Sequence, residues 1–225
     1  MTAPPVVVIP ALNPAPCLAE MVRQLAASPE IAAILVVDDG SRPECQSIFQ
    51  AAAKAGARLL RHPVNRGKGA ALKTAFREAG TNGIVTADAD GQHTVPDILA
   101  VARALRDDPA RLILGVRRFD ASAPWRSRIG NQTTRYLLRR LFGAALTDTQ
   151  TGLRGIPMDF VPVLLKSPYN RYEFELDMLL RWHGTGRPVL EVPIETVYFD
   201  QNRLSHFHPL LDSMRVYRAL LGFKH

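Results

Sequence analysis

Along the first half of the chain, short apolar runs rich in β-branched residues alternate with longer segments of helical period. The run VVVIP (6–10) precedes APCLAEMVRQLAAS (15–28), and IAAILVVDDG (31–40) precedes PECQSIFQAAAKAG (43–56), whose Pro43 suits a first helical turn. ARLLRH (57–62) is followed by GKGAALKTAFREAG (67–80), ended by Gly80; GIVTADAD (83–90) is followed by VPDILAVARALRDD (95–108); RLILGV (111–116) closes the series. This pattern predicts five strands with helices between them, hence an α/β fold with a mainly parallel sheet covered by helices on both faces. The second half is less regular. It predicts a helix over 128–144, a short strand or turn over 151–157, a helix over 174–184, a strand over 187–199 and a last helix over 208–223. No low-complexity linker or repeat interrupts the chain, so a single continuous domain over residues 1–225 is expected, with functional halves 1–115 and 116–225.

In an open parallel sheet, ligands bind beyond the carboxyl ends of the strands. Polar and glycine-rich loops fall at four such ends: Asn13, then Asp38 and Asp39 of DDGS, then NRGKG (65–69), then Asp88 to His93. If the fourth strand extends through Asp90, Asp88 and Asp90 share one face and Ala89 points away. Two carboxylates so placed raise each other's pKa unless a cation lies beside them, and a hard divalent ion with oxygen ligands resolves the conflict. Gln92 offers a neutral oxygen nearby and Gly91 permits the bend. The competing reading is a solvated loop with capping aspartates. Asp38 or Asp39 can cap the next helix; if Ser41 does so instead, both are left for a ribose or nucleobase. NRGKGAAL lacks P-loop spacing and no G-x-G-x-x-G follows the first strand, so Lys68 lies either near a phosphate or in solvent.

Composition adds an asymmetry. The chain has 225 residues, 47% hydrophobic and 22% charged, with a formal net charge of +7. Residues 1–115 carry 12 Lys+Arg against 11 Asp+Glu, and residues 116–225 carry 16 against 10. Seven arginines and one acid fall in RRFDASAPWRSRIGNQTTRYLLRR (117–140). The excess of arginine points to an anionic partner such as phosphate or a lipid headgroup, with a solvated helix face as the alternative. Arginine interleaved with Leu, Tyr and Phe in 134–146 and 210–224 suits either helices on an anionic membrane surface or packed core helices. No apolar run approaches the ~20 residues of a transmembrane helix, and no signal peptide is evident, so a cytoplasmic protein is expected. Cys17 and Cys45 have no metal-ligand spacing and read as unpaired thiols. His62, His183, His208 and His225 suggest no metal site, and Trp125 and Trp182 read as packing residues before acceptor-groove ones.

In order along residues 6–155, VVVIPALN, VVDDGS, NRGKGAAL, ADADGQH, GVRRF and DTQTGLRG resemble the family 2 glycosyltransferases. RYEFELDML and SHFHPLLDSMRVY resemble the subgroup near the dolichyl- and polyprenyl-phosphate mannose or glucose synthases. The resemblance implies a GT-A fold and a nucleotide-sugar donor, a UDP- or GDP-hexose. It implies that Asp38 and Asp39 contact the nucleoside beside Pro10 and Asn13, with Lys68, Asp88, Ala89 and Asp90 also on the donor side. Asp88, Asp90 and Gln92 would hold Mg²⁺ or Mn²⁺ against the diphosphate. Arg117 and one of Arg126 and Arg128 would neutralise phosphate; Asp148 matches the acid of the acceptor loop; Ser205 and His206 match a loop that closes over the phosphates. Leu12 and Pro14 depart from the tyrosine and glutamate common in the family, which leaves the base unassigned.

The implied chemistry is direct displacement with inversion, in which a divalent ion and arginine stabilise the departing diphosphate, so that Asp90 and Arg117 act on the leaving group. A lipid phosphate acceptor is already ionised, since its second pKa is ~6, and needs no strong base. For a hydroxyl acceptor in polysaccharide or glycolipid synthesis, Asp148 is the base candidate; otherwise it fixes local hydrogen bonds. The expected setting is peripheral, at the cytoplasmic face of a membrane, in cell-envelope glycan synthesis. A nucleic-acid-binding module is the rival from another class, but no recognition motif accompanies the basic stretch, so no nucleic-acid partner is expected.

Overall fold

The computed structural model describes residues 3–80, 83–117 and 146–195. In chain order these form β1 (Val6–Ala11), α1 (Leu18–Ala26), β2 (Ala33–Asp39), a short 3-10 turn (Pro43–Cys45), α2 (Gln46–Lys54), β3 (Arg58–His62), α3 (Lys68–Glu78) and β4 (Ile84–Thr86). α4 (Val95–Asp107), β5 (Leu112–Arg117), β6 (Arg154–Ile156), a 3-10 turn (Met158–Phe160), α5 (Val161–Leu165), α6 (Glu173–Gly184) and β7 (Val189–Ile194) follow. The expected helices over 128–144 and 208–223 lie outside the described residues, as does the end of the expected strand over 187–199.

Among the described residues seven strands make one sheet in the order β3-β2-β1-β4-β6-β5-β7. β1 pairs in parallel with β2 and β4, β2 with β3, and β5 with β7. Among the described strands only β6 runs antiparallel to its neighbours, inserted between β4 and β5. Alternate strand residues serve opposite faces, as the two-residue strand period requires. Val7, Ile9, Ile34 and Val36 pack with α1, α2 and α4; Val6, Val8, Leu35 and Val37 pack with α3, α5 and α6. The near-continuous apolar runs are thus those of a sheet buried on both faces. Trp182 packs as expected: its ring meets Phe160 edge-on at a centroid distance of 4.9 Å, and its Nε1–H donates to the Pro188 carbonyl.

One expectation fails here. The fourth strand ends at Thr86, not Asp90, and residues 89–90 form a turn. Asp88 and Asp90 therefore do not share a strand face, and Ala89 is no outward spacer: it is buried in the cluster packed by α1 and α4. The strand stops because Thr86 closes both the three-residue ladder to β1 and the antiparallel ladder to β6. Beyond it, Gly91 takes a φ of 79°, which bends the chain.

Candidate active site

A cleft opens at the carboxyl ends of β1, β2 and β4. Pro10 to Ala15 form one wall, Asn65, Gly67, Lys68 and Ala71 another, and Asp39, Asp88, Ala89, Asp90, Arg171 and Tyr172 complete the lining. The strand-end loops singled out in the sequence thus meet in one place, joined by the start of α6. Of the residues expected on the donor side, Asp38 is the exception. It does not line the cleft; its Oδ1 accepts from the Ser41 N–H and its Oδ2 lies 3.3 Å from Arg61 Nε. Ser41 caps no helix either, because its hydroxyl accepts the Asn13 N–H. Asn13 sits at φ 48°, and its Oδ1 accepts from the Arg42 N–H, which ties the wall after β1 to the loop after β2.

Asp39 is buried, and its carboxylate organises the NRGKG loop. Oδ1 accepts from the Arg66 N–H at 2.9 Å and lies 2.6 Å from His62 Nδ1, while Oδ2 accepts from the Gly67 N–H at 2.8 Å. His62 Nε2 in turn meets the Thr74 hydroxyl at 2.9 Å. Gly67 takes a φ of 101°, and a Cβ there would lie 2.4 Å from the Asn170 carbonyl oxygen, so only glycine lets the loop pass the segment that leads into α6. α3 begins at the next residue, and this sets Lys68 in the wall of the cleft.

Lys68 is neither in solvent nor alone. Its Nζ lies 2.6 Å from Asp88 Oδ1 and 3.0 Å from Glu175 Oε1. Burial favours the neutral lysine, but the two carboxylates outweigh it and raise the ammonium pKa. Burial likewise acts to raise the Asp88 pKa, yet Lys68 and His93 hold that carboxyl well below the ordinary range. The opposite holds for Asp90, whose carboxyl is pushed up by burial and by the charge of Asp88. Asp90 Oδ1 accepts the Gln92 N–H at 3.0 Å, so Gln92 joins the turn through its backbone, and its side chain does not line the cleft. Glu175 was not expected from the sequence. It lies within RYEFELDML, but which acid of that helical stretch turns toward the cleft depends on how α6 packs.

The loop before β6 closes against Asp88. A Cβ on Gly152 would lie 2.2 Å from Asp88 Oδ2, and the Gly152 carbonyl accepts from the Thr86 hydroxyl at 2.8 Å. Arg154 is buried, and its guanidinium donates to the carbonyls of Thr151, Thr149 and Glu175, linking this loop to α6. Asp148 is 0% exposed and forms a two-pronged pair with Arg117, Nε to Oδ2 at 2.6 Å and Nη2 to Oδ1 at 3.0 Å. Neither residue lines the cleft. Arg126, Arg128, Ser205 and His206 lie outside the described residues.

Among the described residues no three His, Cys, Asp or Glu side chains group as a metal-holding set, and no helix is long and apolar enough to cross a membrane. What the cleft offers a hard divalent ion is the Asp88 and Asp90 pair, oxygen donors of the right kind, too few to saturate it without water and substrate oxygens.

The model of the glycosyl transferase family 2 matches residues 6–163. An uncharacterized protein of Methanocaldococcus jannaschii is 33% identical over 202 residues, 85% of this chain and 81% of that one. The UDP-N-acetylglucosamine–dolichyl-phosphate N-acetylglucosaminyltransferase of Methanococcus voltae is 26% identical over 84% of each chain. The polyprenol monophosphomannose synthase of Mycolicibacterium smegmatis is 28% identical over 72% of this chain and 65% of its own. In fold the chain is similar to glucosyl-3-phosphoglycerate synthase of Mycobacterium tuberculosis, solved with Mn²⁺, UDP and glucosyl-3-phosphoglycerate, with a TM-score of 0.72 at 19% identity over 96% of this chain and 78% of that one. The α/β architecture is that of the GT-A glycosyltransferases, and the chain belongs to glycosyl transferase family 2.

Proposed function

We propose that the protein transfers a hexose from a nucleotide-diphosphate sugar to a polyprenyl phosphate, with inversion. The donor half, 1–115, and the acceptor half, 116–225, act as parts of one domain in this reading. Its donor side is supported by the convergence of Asp88, Asp90 and Lys68 with the walls from Pro10 to Ala15 in one cleft. The nucleoside lies against Pro10, Asn13 and Asp39, and Lys68 faces the diphosphate. Asp88 and Asp90 hold Mg²⁺ or Mn²⁺, with Gln92 shaping their turn. When bound, that ion supplies positive charge to the departing diphosphate. The chain's own residues bring the donor loops together at one cleft.

The observation that favours a phosphate acceptor over a hydroxyl is the state of Asp148. A base must reach the proton it removes, and Asp148 is fully buried and held by both prongs of Arg117. A phosphate monoester is already ionised near neutral pH and needs no such base. The names of the dolichyl-phosphate and polyprenol relatives point the same way. Arg126, Arg128, Ser205 and His206 are assigned to the phosphates of donor or acceptor, with Arg117 acting through the loop that it braces. The excess of arginine between 117 and 140 suits a peripheral position at the cytoplasmic face of a membrane.

The test is incubation with radiolabelled UDP- and GDP-sugars, Mn²⁺ and short polyprenyl phosphates. Labelled lipid is expected with one donor. No labelled lipid with any donor, together with label in a saccharide, replaces this reading by transfer to a hydroxyl.

A further inference from the structure

One ammonium at the cleft serves two acids. Lys68 Nζ stands between Asp88 Oδ1 at 2.6 Å and Glu175 Oε1 at 3.0 Å, from the turn after β4 and the first turn of α6 respectively. Its backbone is fixed, because Gly67 before it donates to Asp39 and Ala70 after it donates to the Asn170 carbonyl. Only the four-carbon stem is left to move. The other Asp88 oxygen faces Gly152 and lies 3.5 Å from His93 Nε2. Asp90, by contrast, forms no ion pair among the described residues and accepts only the Gln92 N–H. Two carboxylates thus share the ammonium of Lys68, while Asp90 beside them has no ion pair among the described residues.

We propose that Lys68 is the resident counter-ion of Asp88 and gives it up when a diphosphate arrives, with Glu175 as the positioning residue that keeps Nζ in reach of both. The inference rests on the donor-site reading above. A divalent ion entering alone must displace an ammonium already in contact with Asp88 and leave the two cations side by side. A nucleotide diphosphate removes that conflict, since its oxygens accept the ammonium as Asp88 is released. Metal and nucleotide accordingly bind as a coupled pair, each raising the affinity of the other by the same factor.

The experiment is a titration of Mn²⁺, followed by electron paramagnetic resonance, into the folded wild type and Lys68→Met without nucleotide, then with UDP or GDP. Lys68→Met is expected to bind Mn²⁺ alone about tenfold more tightly, because a cation in contact with the ligand carboxylate is gone. Its affinity for the nucleotide in Mn²⁺ is expected to fall about tenfold, as a charge-assisted bond to phosphate is lost. The coupling between the two ligands shrinks accordingly. If Lys68→Met does not fold, Lys68→Gln, which keeps an amide between the two acids without the charge, carries the same expectation. Nucleotide binding to the wild type with Mn²⁺ alone no tighter in the variant overturns the hand-over and leaves the donor site standing. Failure of both UDP and GDP to bind the wild type with Mn²⁺ overturns the donor-site reading and the hand-over with it.

Discussion

Two turns of this protein are built alike and behave in opposite ways. In Asp90-Gly-Gln92 and in Asp148-Thr-Gln150 the aspartate Oδ1 accepts the N–H two residues on, at 3.0 Å in both. The first turn lies at the cleft, where burial and then the charge of Asp88 raise the Asp90 pKa. The second is sealed, and the Arg117 guanidinium takes both carboxylate oxygens of Asp148. In the proposed reading the same local motif serves ligand chemistry where the carboxylate has no ion pair among the described residues, and architecture where it has one. What an aspartate does is therefore decided by the charge that faces it, more than by the turn that presents it.

The comparison can be broken most sharply at Asp90. Asp90→Asn is expected to reduce kcat/KM by about 10³-fold or more and to abolish Mn²⁺-dependent nucleotide binding, with the circular dichroism spectrum unchanged. Wild-type metal-dependent turnover in that variant would end the metal assignment. At the sealed turn the loss should appear as stability instead. Asp148→Asn leaves Arg117 without its carboxylate, and the denaturant midpoint should fall by the equivalent of about 3 kcal/mol. A variant of unchanged stability with no turnover would mark Asp148 as a base after all.

A third change tests the wall between the two turns. Gly152→Ala places a methyl against Asp88 Oδ2, and nucleotide affinity in Mn²⁺ should fall about tenfold while the Arg117 pair persists. Isothermal titration of UDP and GDP reads this directly, and unchanged affinity would separate the loop from the donor site. The smallest effect concerns pH. Asp90 has a raised pKa in the folded protein, so it takes up a proton more readily there than in the unfolded chain. Its contribution to metal-free stability is thus present below the ordinary carboxylate pKa of 3.8 and is lost as pH rises through the raised value. Asp90→Asn should therefore gain on the wild type over that interval, and parallel stability curves would contradict the burial of the charged form. Asp88, whose pKa is lowered, works in the other direction and loses its contribution as pH falls below 3.8.

Much of the donor side was legible in the sequence because strand period and helix period are local signals. VVVIP, VVDDG and RLILGV form strands at their expected places, and DDGS, NRGKG and ADADGQH all reach one edge of the sheet. What the sequence did not reveal depends on partners distant along the chain. GIVTADAD reads as one strand, yet its ladders to β1 and β6 stop at Thr86. Asp38 and Asp39 look equivalent as neighbours, but the alternation of β2 sends one to Arg61 and the other to His62 and the NRGKG loop. Glu175 has no local signature at all. It becomes part of the site only because α6 packs over α3, where Lys68 begins the helix.

The reversed strand β6 carries a consequence for how such a protein can be altered. Ile113 of β5 stands directly opposite Gly155 of β6, while Val85 of β4 stands on the other side of Gly155. The described chain on either side of 118–145, Arg117 at the end of β5 and the loop 146–153 before β6, is thus tied together by two strands zipped to each other and by the Arg117–Asp148 pair. Loop closure grows only slowly more costly with length, by about 0.6 kcal/mol per doubling. The junctions after Arg117 and before Leu146 are accordingly natural graft points, where a segment of different size could be exchanged while β5 and β6 keep their register.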